Sequence, residues 1–103
     1  MNKFLLGSII LMHGIPLFAI WITILLKGLD DINQHTGKKY SYYDIILLTI
    51  LYIIFAQTFY YFSKAKRNSD NYNIWNILLG IMMFLYYVPA VDLINGILTS
   101  YDS

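Results

Sequence analysis

Hydrophobic and polar positions fall into three long apolar runs divided by two short polar stretches. The runs cover residues 4–26, 45–62 and 74–98, which is 23, 18 and 25 residues. A helix that crosses a bilayer needs about 20 predominantly apolar residues, within roughly 17 to 25. All three runs meet that length, so the pattern predicts an all-α integral membrane protein with three transmembrane helices and short loops. Residues 1–103 then form a single three-helix membrane domain. A core helix of a soluble protein carries its charges on the solvent face, and none of these runs has a charged stripe. Twelve of the 13 charged residues lie outside the runs, and the exception is Asp92.

The first run begins after Lys3, as a signal peptide would. It continues to Leu26, however, and Leu17, Phe18 and Ala19 lack the small residue that a cleavage site needs at its first position. The reading is therefore a spanning helix. Tyr40, Tyr42 and Tyr43 precede the second run, Tyr60 and Tyr61 close it, and Tyr72 and Trp75 open the third. Tyr and Trp favour the headgroup level, where the ring stays apolar and its tip wet. Positive charge is divided almost evenly between the two sides, but Lys64, Lys66 and Arg67 crowd one short loop. That cluster points to an N-terminus on the inside and a C-terminus on the outside.

Composition sharpens the class. Hydrophobic residues make up 58% and charged residues 13%, against roughly a quarter charged in soluble domains. There is no cysteine, hence no disulfide, thiolate metal site or c-type haem attachment. A net charge of +1 makes no electrostatic case for nucleic acid. The partners expected are the lipid bilayer and other integral membrane proteins. An Ile-, Asn-, Tyr- and Phe-rich composition points to an AT-rich coding genome, and so to a bacterial cytoplasmic membrane or a mitochondrial inner membrane.

Candidate chemistry is sparse. From Asp31 a calcium loop would need glycine at its sixth position and glutamate at its twelfth; those positions hold Thr36 and Tyr42. The pair Gly37 and Lys38 lacks the upstream glycine of a phosphate loop. Asp30 and His35 fall short of a zinc signature. No cofactor, metal or catalytic residue is assigned, and the chain is read as a non-enzyme.

Two ionisable residues fall inside the apolar runs, His13 and Asp92. Such residues are rare at membrane depth and usually face protein or water. At about 1.5 Å of rise per residue, His13 and Gln57 lie at a similar depth, with Tyr86 within a turn. These three are expected to form a buried polar layer. Asp92 is nearer one face, and Leu85, Pro89, Asp92, Asn95, Gly96 and Thr99 recur at three- and four-residue spacing on one side of the third helix. Pro89, Asp92, Asn95 and Gly96 are the candidates for contact with a partner. Gly7 and Gly14, a heptad apart, offer a close-packing face on the first helix.

In size and span count the chain resembles small three-helix respiratory subunits. The NADH dehydrogenase subunit of this size carries intramembrane glutamates, and this chain has no glutamate. The succinate dehydrogenase anchor has a haem-ligating histidine followed by an Asp–Tyr pair; here His13 is followed by Asp30 and Asp31 with no tyrosine beside them. Neither family is assigned on that basis. The first expectation is a small non-catalytic subunit or assembly factor of a larger membrane complex, such as a respiratory or energy-converting one. The second is an immunity protein that binds a pore-forming bacteriocin in the membrane, which the chain resembles in architecture alone. The third is a small channel or holin-like homo-oligomer, in which Asp92 would set selectivity.

Overall fold

The computed structural model describes residues 2–102. Within them the chain is all-helical, with α1 at Lys3–Lys27, α2 at Leu29–Thr36, α3 at Tyr42–Lys64 and α4 at Asp70–Asp102. Local chemistry explains most of the boundaries. Asn2 accepts the Leu5 amide through its side chain at 2.6 Å and starts α1. Gly28 ends it at φ +92°, a conformation that suits a residue without Cβ. α3 opens on a reciprocal cap: Ser41 Oγ accepts the Asp44 amide, and Asp44 accepts the Ser41 amide at 3.0 Å. Asn68, in the left-handed region at φ +67°, turns the chain between α3 and α4.

α1, α3 and α4 are long and apolar enough to cross a membrane. They run up, down and up. In the axial direction His13 of α1 meets Phe55 of α3 and Tyr87 of α4, while Lys27 at the end of α1 meets Ser100 of α4. α4 has 33 residues, or about 50 Å at 1.5 Å per residue. A hydrocarbon layer is only about 30 Å thick. Tyr40, just before α3, meets Asp92 and Gly96, so the final third of α4 runs on past the start of α3.

α2 is a fourth helix inside the segment 27–44 that the sequence pattern leaves as loop. It packs on α4, with Leu29 and Ile32 buried. The cause is an amphipathic turn: two apolar residues three apart face inward, and Asp30 and Asp31 sit in the first turn, where the helix dipole favours carboxylates. Gly37, left-handed at φ +72°, stops it.

Ile20, Ile32, Ile45 and Leu48 are almost fully buried toward the α2 end, as are Phe55 and Tyr86 around His13. Elsewhere the three long helices turn most of their apolar surface outward. Phe4, Leu11, Leu25, Ile77 and Phe84 are all more than half exposed.

Candidate functional site

Polar chemistry gathers at two levels of the bundle. The first is an aromatic layer around His13. His13 Nδ1 and the Tyr87 hydroxyl share a hydrogen bond, and the His13 ring meets Phe55 edge-on at 5.2 Å. Tyr86, fully buried, donates its hydroxyl to the His13 carbonyl at 2.6 Å. Tyr52 does the same to the Ile10 carbonyl at 2.6 Å. Pro16 lacks the amide that would pair with the Met12 carbonyl; the two phenols donate to the carbonyls that flank it, Ile10 and His13. Lower on α1, Trp21 Nε1 donates to Thr49 Oγ1 at 2.9 Å.

Gly14 makes this layer possible. A Cβ there would lie 2.6 Å from the Tyr52 hydroxyl oxygen and 2.9 Å from Cζ. Gly7, its heptad partner in the sequence, has open space around it. The expected small-residue face of α1 is thus used at one glycine and vacant at the other.

The buried layer expected from His13, Gln57 and Tyr86 needs one correction. His13 and Tyr86 meet as described, but Gln57 is exposed on the outer side of α3. At about 100° per residue, Gln57 lies some 200° round from Phe55, which is fully buried. Depth matched while the helix face did not. Tyr52 and Tyr87 take the place assigned to Gln57. Tyr52 lies three residues before Phe55 and Tyr87 directly after Tyr86, positions that helical spacing places near the same layer.

The second level is the end of the bundle where α2, the start of α3 and the last third of α4 meet. Lys38 Nζ donates to Asp92 Oδ1 at 2.8 Å, and the Tyr40 hydroxyl donates to Asp92 Oδ2 at 3.1 Å. Asn33 holds the Tyr40 backbone in both directions: its Oδ1 accepts the Tyr40 amide and its Nδ2 donates to the Tyr40 carbonyl, each at 2.9 Å. Tyr40 lies over Gly96, where a Cβ would be 3.1 Å from its hydroxyl oxygen.

Asp92 is therefore not an isolated charge inside an apolar helix. Its side chain is half exposed and level with the polar loop that carries Lys38 and Tyr40. Of the four residues expected to meet a partner, Asp92 bonds Lys38 and Tyr40, Gly96 is covered by Tyr40, and Pro89 lines a cleft with Asp92. Asn95 points outward. Lys38 and Tyr40, which close this corner, carried no sequence signal beyond a basic pair beside an aromatic residue.

Electrostatics agree with the geometry. The Asp92 carboxylate bonded to Lys38 raises the ammonium above the usual lysine value. Partial burial, and then the same carboxylate, raise the Tyr40 phenol. Nearby, Lys27 Nζ donates to the Ser100 carbonyl at 2.9 Å and sits over the Tyr101 ring at 4.1 Å. That contact ties the end of α1 to the end of α4. Both levels are made of locks between helices, with each buried side-chain donor and acceptor partnered among the described residues.

Set against protein-family models, curated proteins and solved structures, the chain matches none. Among the described residues, no three or more His, Cys, Asp or Glu side chains converge as a metal site would require.

Proposed function

We propose that this chain is a multi-pass membrane protein that acts by packing against other integral membrane proteins, as a non-catalytic subunit or assembly factor of a larger complex. The observation that carries the reading is Gln57. It is exposed at mid-helix on a side of α3 that also presents Ile50, Ile53 and Ile54, and it has no hydrogen bond among the described residues. An amide facing hydrocarbon without a partner costs several kcal/mol. A polar group on a neighbouring helix removes that cost, which is how such residues hold membrane helices together. Asn95, exposed on α4, supplies a second outward amide near the bundle end.

The test is the mass of the native complex purified through a tag on this chain in mild detergent, with Gln57→Leu alongside. A stoichiometric assembly with other membrane proteins that weakens in Gln57→Leu supports the proposal. A lone chain or small homo-oligomer overturns it, and moves the weight to toxin immunity or a small channel. A toxin-challenge assay then separates those two.

A further inference from the structure

The cleft beside Pro89 has the polarity of an amphiphile. It lies between the first half of α3 and α4 and encloses about 260 Å³. Leu47, Leu48 and Leu51 of α3 face Pro89 and Leu93 of α4, and Tyr40, Asp44 and Asp92 complete the lining. The helices are antiparallel, so Asp44 and Asp92 share one end while Leu51 and Pro89 lie deeper. The polar end coincides with the α3 cap and the Lys38–Asp92 contact, and the apolar end runs down between the long helices.

We propose that this cleft holds one acyl chain of an aminophospholipid, with the lipid's primary ammonium group at the Asp44 side of the rim. The inference rests on the membrane-spanning reading above. Size limits the occupant. Sites that enclose a whole small molecule measure roughly 300–1,000 Å³, so this smaller, open cleft suits a single chain whose remainder stays outside.

Charge and hydrogen bonding select the headgroup. Asp92 is neutralised by Lys38, whereas Asp44 has no ion-pair partner among the described residues; one of its oxygens accepts the Ser41 amide. The rim is left with one carboxylate that has no ion-pair partner among the described residues. A primary ammonium brings three donors and a positive charge, as a lysine head does. A choline head brings charge without donors, and a glycerol head on an anionic lipid brings the wrong sign.

The experiment exchanges the purified chain into vesicles of phosphatidylethanolamine, phosphatidylcholine and phosphatidylglycerol in equal parts. Gentle extraction and native mass spectrometry then identify the retained lipid. The expected result is preferential retention of phosphatidylethanolamine, on the order of threefold to fivefold, the size of one exposed charged contact. Asp44→Asn keeps an acceptor for the Ser41 amide and removes the charge, so the preference should vanish with helicity unchanged. Leu51→Trp fills the cleft and should reduce retention of all three lipids. Equal retention of the three lipids, or a preference that survives Asp44→Asn, overturns the proposal. An alkaline carbonate wash separates the two readings. Release of the chain from membranes overturns both, while a chain that stays bound yet shows no headgroup preference overturns the lipid assignment alone.

Discussion

Lys38 and Asp92, 54 positions apart in the chain, meet at 2.8 Å. This contact turns the one charge within an apolar run into part of a polar clasp. With Tyr40 as the third member, it also fastens the α2 segment across the mouth of the bundle.

The clasp should weaken in alkali. Bonding to Asp92 raises the folded-state value of Lys38 above the ordinary 10.5. Folded Lys38 thus holds its proton more tightly than unfolded Lys38, and linkage makes its stabilisation complete below the ordinary value. It is lost as pH rises through the raised one. Thermal unfolding of the wild type and Lys38→Met should differ by a constant amount from neutral pH up to the ordinary lysine value, and the two curves should converge as pH rises through the raised one.

Gly14→Ala should destabilise the bundle by about 1–3 kcal/mol, the usual penalty for an added methyl in a filled space. The new Cβ would meet the Tyr52 ring at 2.9 Å and its hydroxyl at 2.6 Å, and the bond from Tyr52 to Ile10 would be displaced. Gly7→Ala, in open space, is the control and should show no loss. Unfolding midpoints in detergent micelles decide between them. Adding Tyr52→Phe to Gly14→Ala should recover part of the loss by removing the nearest atom.

Tyr86 separates hydrogen bonding from volume. Tyr86→Phe removes only the bond to the His13 carbonyl and should cost about 0.5–1.5 kcal/mol. Tyr86→Ala empties a fully buried site and should cost about 3–5 kcal/mol, as large aromatic truncations do. Equilibrium unfolding of both variants measures the difference. Equal losses would show that the ring contributes little packing.

Gln57→Leu should leave the isolated chain within about 0.5 kcal/mol of the wild type, as substitutions away from interior contacts do. Tyr87→Phe, which deletes the bond to His13, should lower stability measurably. Unfolding midpoints of the two variants in the same micelle provide the check.

The three long helices were legible because length and the absence of charge are properties of the chain alone. Residues 4–26, 45–62 and 74–98 each grew by one to several residues at their ends, since caps such as Ser41 with Asp44 recruit polar residues that a hydropathy reading excludes. Depth was legible too, because helical rise is constant, so His13 and Tyr86 fell at one level as expected. Helix facing was not. An apolar helix lacks the polar stripe that marks its outer side, so Gln57 looked as interior as Tyr86 and in fact faces out. Nor could the pattern show that α4 overshoots the start of α3, so the pairing of Asp92 with Lys38 and Tyr40 was not legible. α2 hid for the opposite reason: eight residues with two inward apolar side chains are too weak a signal until α4 is there to receive them. Length, charge and rise along the chain were enough for the three long helices and the relative depths of their residues. Tertiary structure decided which faces meet, because that depends on packing between helices that no local pattern encodes.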